Sequence, residues 1–195
     1  MLSSKGRTNY NEESSLPSSL STPNLVLNSL DIEKKESVEK FIEQNIEQLS
    51  RWCPWIIKKV ESSDPAKILS MFLKEIDEEI SYHFSIYSNN TFIGMISLCN
   101  LKGDETSASL IYWMDRSVDK FFDKLFIEAL RALSQLAFYK LSVLKLVIPC
   151  VAGNFFGEVM AKEMRFKLKR IDLIAGKSVK IYELDGFEFF SFNKV

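Results

Sequence analysis

Ser107-Ala108-Ser109-Leu110-Ile111-Tyr112-Trp113-Met114-Asp115-Arg116-Ser117 is the stretch that decides the fold. Its first eight residues, rich in bulky and β-branched side chains, read as a strand. Asp115-Arg116-Ser117 opens a short polar loop. A helix follows, with Val118, Phe122, Leu125, Ala129, Leu133 and Leu136 on one face of a 3.6-residue period. A strand feeding a helix through a tight loop aims free backbone N–H groups at the helix start, where an anion can sit. After the helix, Val143-Leu144-Lys145-Leu146-Val147-Ile148-Pro149 is a short apolar run. Its place beyond a crossover helix predicts a buried strand parallel to the first.

Upstream of this unit, Leu25–Leu30 reads as a first strand. An amphipathic helix with Val38, Phe41, Ile42 and Leu49 inward must end by Cys53, because Pro54 follows. Asp64-Pro65 starts another helix, an N-cap carboxylate before a proline at the first position. Its inward stripe is Ile68, Leu69, Phe72, Ile76 and Ile80. The period then changes to two. Tyr82–Tyr87 and Thr91–Leu98 form a hairpin about Ser88-Asn89-Asn90. Downstream, Asn154 opens a short helix with Val159, Met160 and Met164 inward. Phe166–Ile174 and Val179–Leu184 make an antiparallel pair about Gly176. The class is α+β: helices, a meander of strands, one βαβ crossover and a closing hairpin.

With 195 residues, 46% of them hydrophobic, the chain is large enough for one domain with a real core. A net charge of -1 argues against a nucleic-acid partner. Cys53, Cys99 and Cys150 have no metal-ligand spacing, so no metal is expected, and they fit a reduced, cytoplasmic setting better than a disulfide framework. No apolar run approaches the roughly 20 residues of a membrane span. Residues 1–24 are Ser-rich without an apolar core, which predicts a disordered tail rather than a secretory signal, and a folded domain over 25–195. His83, in an alternating strand, reads as a satisfied sheet residue. Tyr112 and Trp113 must face opposite sides of their strand. Arg165, Lys167, Lys169 and Arg170, alternating with Phe166 and Leu168, read as a solvated strand.

Several segments together resemble one family. Asn45-Ile46-Glu47-Gln48-Leu49-Ser50-Arg51-Trp52-Cys53-Pro54-Trp55 is similar to the N-x-x-x-L-x-x-W-x-P-W segment of RimJ/RimL-type acetyltransferases. Ile93-Gly94 matches the Ile-Gly pair of their third strand, and Leu110-Ile111-Tyr112-Trp113-Met114 their "IGYWL" strand. Glu128-Ala129-Leu130 sits where these proteins often carry Glu-Ala-Leu. Asn154, ten intervening residues and then Arg165-Phe166 resemble the family's Asn-to-Gly-Phe spacing.

The resemblance implies a GNAT fold: a mixed, mostly antiparallel sheet, splayed between two parallel central strands and flanked by helices. It implies acetyl-CoA as cosubstrate and an N-acetyltransferase acting on a primary amine, whether a protein N-terminus, a polyamine or a small amine, in a monomer or homodimer. It places Trp113, Met114, Asp115, Lys120, Phe122, Asp123, Lys124 and Asn154 toward the cosubstrate, and Trp52, Trp55 and Tyr112 toward the acceptor. It names no catalytic base. The chain departs from the family where glycines should cradle the pyrophosphate, since no glycine occurs between Gly103 and Gly153. Lys120 and Lys124 are the side chains able to replace those backbone contacts. Gly157 also stands where the family usually has serine. These departures leave a second reading open, a catalytically silent GNAT-fold binding module.

Overall fold

The computed structural model describes residues 16–30, 33, 35–103, 106–114, 122–141 and 143–192. Their elements are β1 (Ser19–Ser21), β2 (Val26–Ser29), α1 (Lys35–Trp52), α2 (Pro54–Val60) and α3 (Pro65–Asp77). Then come β3 (Tyr82–Ser88), β4 (Thr91–Cys99), β5 (Ser107–Met114), α4 (Phe122–Lys140) and β6 (Lys145–Val151). The chain closes with α5 (Phe155–Glu163), β7 (Lys167–Ile174), β8 (Lys177–Asp185) and α6 (Gly186–Phe192).

The strands form one sheet in the order β1-β2-β3-β4-β5-β6-β8-β7. Every neighbouring pair is antiparallel except β5 and β6. Those two pair through only three positions, Ser107 with Lys145, Ala108 with Leu146 and Ser109 with Val147. Beyond them β5 follows β4 to Met114 while β6 follows β8 to Val151. The centre of the sheet therefore opens into a V, as the resemblance implies.

Alternation along the strands gives the sheet two buried faces. On one, Phe84, Ile96, Leu98, Leu110, Leu146 and Ile148 pack under α4 and α5. The expected stripe of α4 is buried at Leu125, Ala129, Leu133 and Leu136, and widened by Phe126, Leu130 and Ala137, while Val118 and the side chain of Phe122 lie outside the described residues. On the other face Met95, Ile111 and Trp113 lie under Val38, Phe41, Ile42, Ile68, Leu69 and Phe72 of α1 and α3. Trp52 and Trp55 extend this layer across the V onto Val151, Val179 and Ile181. Cys53 carries the chain from α1 to α2, and Pro54 is the first residue of α2, where its missing N–H is harmless.

Four expectations need correction. The tail predicted for residues 1–24 ends early: Ser19–Ser21 pair with Val26–Asn28, and Thr22 and Asn24 bind Glu128. Ile80 falls beyond the end of α3 and is half-buried. Val159 of α5 faces solvent at 49% exposure, since Met160, Ala161 and Met164 are enough to cover that side. Beyond Leu184, the end of the last expected strand, Gly186–Phe192 form α6, with the Phe189 ring 5.2 Å from Phe138.

Candidate active site

The V produces a cavity of about 220 Å³ whose wall comes from both faces of the sheet. Gln48, Trp52 and Cys53 line it from the α1 side. Phe126 and Gly153–Phe156 line it from the α4–α5 side. Tyr112, Trp113 and Met114 form the strand edge between them. A cavity walled from both layers exists only where strands have parted.

Two glycines shape this edge. Gly94 pairs with Met114, and a Cβ on Gly94 would stand 2.6 Å from the Trp113 carbonyl oxygen and 2.8 Å from Met114 Cα. Only glycine lets the end of β5 lie this close. Gly157 lies in the first turn of α5, where its N–H donates to the Asn154 side chain at 3.0 Å. Asn154 thus caps α5 while also lining the cavity. A Cβ on residue 157 would stand 2.8 Å from the Tyr112 hydroxyl. The family's usual serine is therefore incompatible with Tyr112 as it sits here. Burial holds the Tyr112 phenol well above its ordinary value, with the neighbouring Cys150 and Cys53 thiols adding to the effect. The Trp113 indole N–H is buried and has no hydrogen-bond partner among the described residues. An unpaired buried donor costs roughly 1–3 kcal/mol.

A second cavity, about 370 Å³, lies on the α1–α3 face. Trp55, Ile56, Met71 and Phe72 cover it, Ile111 and Pro149 form its floor, and Arg170 and Asp172 stand at the β7 side. The Trp55 indole N–H is likewise buried and unpartnered. Deep in the wall, Glu75 binds Lys59 and accepts from His83 Nε2 at 3.0 Å, while His83 Nδ1 meets Ser97 Oγ at 2.7 Å. Burial would raise the Glu75 carboxyl, but the bonds from His83 and Lys59 outweigh it and hold it at about 2. Burial pushes His83 below its ordinary value despite Glu75, so the ring is neutral at pH 7. A narrow third cavity, lined by Ile56, Phe72, Met95, Ser97, Ile111, Tyr112 and Trp113, shares walls with both.

Trp52, Tyr112, Trp113, Met114 and Asn154 thus meet around the V. Tyr112 and Trp113 do take opposite faces, Tyr112 toward Phe126 and Trp113 toward Phe72. Trp55 lines the second cavity instead. Asp123 and Lys124 are exposed on the first turn of α4, outside the wall of the V. Asp115, Lys120 and the side chain of Phe122 lie outside the described residues, as does the glycine-free loop. His83 is satisfied as expected, but its lining of a cavity was not foreseen. Neither was the Ser97 partner, which the resemblance does not include.

Residues 24–161 match the family model described as an acetyltransferase (GNAT) domain. Comparison with curated proteins gives no match. Among solved structures, RimL, a ribosomal alpha-N-protein acetyltransferase in complex with coenzyme A, superposes with a TM-score of 0.71 at 19% identity. That match covers 84% of this chain and 95% of the other. An acetyltransferase from Salmonella typhimurium that modifies the N-terminal serine of a 50S ribosomal subunit protein gives 0.70 at 16% identity, covering 84% and 96%. Mycobacterium smegmatis RimJ in complex with CoA-disulfide gives 0.69 at 14% identity, covering 84% and 83%.

Proposed function

The chain belongs to the GNAT acetyltransferase family and is an acetyl-CoA-dependent acyltransferase; from that premise we propose that it acetylates the free α-amino group of a peptide or protein. The observation that carries the proposal is the two-faced cavity at the V, joined by shared walls to a second cavity on the α1–α3 face. Acetyl-CoA supplies an activated acyl carbon. Past Ser109 the inner edge of β5 has no strand partner among the described residues, so its amides can hold an extended amide chain and polarise a carbonyl. Asn154 adds a polar contact from the wall, and Tyr112 and Phe126 close the cavity against water. The first turn of α4, with Lys124, takes the phosphates in this reading. Its helix amides and dipole do not depend on glycine.

The second cavity receives the amine. Its apolar cover suits the first side chains of a peptide. Known structures of this shape that act on ribosomal-protein N-termini support an α-amine over a polyamine. The test is a panel of peptides with free and blocked N-termini, alongside spermidine, incubated with acetyl-CoA and read by mass spectrometry. Acetylation of free N-termini alone is the expected result. Acetylation of spermidine alone would overturn the acceptor class.

A further inference from the structure

We propose that Ser97, His83 and Glu75 form a proton relay that takes a proton from the acceptor amine, with Ser97 the residue that touches it. The proposal rests on the second cavity being the acceptor site. The Glu75 carboxylate, bound on one oxygen by Lys59, has its other oxygen 3.0 Å from His83 Nε2. An ionised carboxylate only accepts, so Nε2 carries the hydrogen. Nδ1 is then bare and accepts from the Ser97 hydroxyl at 2.7 Å. The lone pairs of Ser97 are left without another donor among the described residues, on a residue that lines both the acceptor cavity and the small cavity of about 10 Å³ that Tyr112 and Trp113 also line. Ser97 also pairs with Ile111 on β5, two residues past the last β5–β6 pair, where the V opens. Phe72 stacks on the imidazole at 4.4 Å and fixes its plane.

Other charged or titratable groups face the relay from several elements. These are Lys59 on α2, Cys99 on β4, and Arg170 and Asp172 on β7. Arg170 is tied to Asp172 and Glu183, and burial lifts the Cys99 thiol to about 12, so neither competes for the proton near neutrality.

The step balances. The acceptor enters as R–NH₃⁺. One N–H bond breaks and its proton joins Ser97 Oγ, while the proton of Ser97 moves to His83 Nδ1. The imidazolium is held against Glu75, and the amine keeps the electron pair with which it attacks. As the C–N bond forms and the C–S bond breaks, a second amine proton ends on sulfur. His83 then returns its proton to water through the cavity.

His83 is the only histidine in the chain, so its ring nitrogens give unambiguous signals in nitrogen-15 NMR of the full-length protein. The relay requires a neutral ring with Nε2–H and bare Nδ1 from pH 6.5 to 8. A ring protonated at Nδ1 would overturn it. The second readout is the pH profile with a peptide bearing a free N-terminal serine. Wild type should hold a nearly constant kcat over this range. Ser97→Ala should lose about 100-fold at pH 7. Its rate should climb about tenfold per pH unit toward the amine's own value near 8, because only the neutral amine then reacts. Ser97→Thr should restore the profile, and the KM for acetyl-CoA should stay fixed throughout. An unchanged profile in Ser97→Ala would overturn the relay while leaving the acetyltransferase reading intact. Failure of wild type to acetylate any amine would instead count against the acceptor assignment, with the NMR result standing alone as a test of the relay's protonation state.

Discussion

Gly157 shows how one missing atom sets the site. In the first turn of α5 an alanine would ordinarily stabilise by about 1 kcal/mol over glycine. Here the added carbon meets the Tyr112 hydroxyl at 2.8 Å and the Asn154 amide at 2.9 Å. Overpacking of this kind costs roughly 1–3 kcal/mol, so the sign reverses. Gly157→Ala should lower the melting temperature, by up to roughly 8 °C in a chain of this size. In a Tyr112→Phe background, with the hydroxyl gone, the loss should shrink by about 1 kcal/mol. Melting curves of the four proteins check this, and equal losses in both backgrounds would contradict it. The sequence marked Gly157 as a departure without its reason. The reason is a contact between α5 and β5, 45 residues apart in the chain, which no local pattern encodes.

At the scale of elements, the hairpin of β3 and β4 explains why part of the site was illegible. The turn sets Ser88 opposite Thr91 and Tyr87 opposite Phe92. Continued unbroken, that register would place Ile96 opposite His83. One extra residue in β4, at Ile93, shifts it so that Ser97 faces His83 and Ile86 faces Gly94. A one-residue slip exchanges the two faces of a strand, so this bulge decides whether His83 meets a hydroxyl or a methyl group. The only sequence signal was the interior glycine, Gly94, which marks bulges but does not locate their register. Similarly, α4 was readable from its period, but its grip on the N-terminal segment was not. Glu128 accepts from the Thr22 hydroxyl, from the Asn24 backbone N–H at 2.8 Å and from its side chain at 2.9 Å. Burial alone would raise this carboxyl; these bonds hold it below its ordinary value. Glu128→Ala should cost about 1–3 kcal/mol. Deleting residues 1–24 should destabilise as well, and Glu128→Ala should then cost nothing more. An additive loss, measured by urea denaturation, would show that the clasp is not what Glu128 contributes.

Across the whole molecule, the fold was legible because a few long-range decisions had local signatures. The apolar run before Pro149, placed after a long helix, announced a parallel strand, and two-residue periodicity announced the meander around it. The fold then follows from closing one sheet between two helical layers. What the sequence could not give is the extent of β5–β6 pairing. Three paired positions rather than seven create the V, and with it a cavity reached from both layers. If that opening is the cosubstrate site, as proposed, acetyl-CoA lies along the edge of β5 past Ser109 and the start of α5. Hydrogen–deuterium exchange of the full chain, with and without acetyl-CoA, tests it most directly. Added acetyl-CoA should slow exchange at the amides of residues 110–114 and 153–157, leaving the β1–β2 edge and β7 unchanged. Protection absent from β5 and α5, or confined to the α1–α3 cavity, would contradict it.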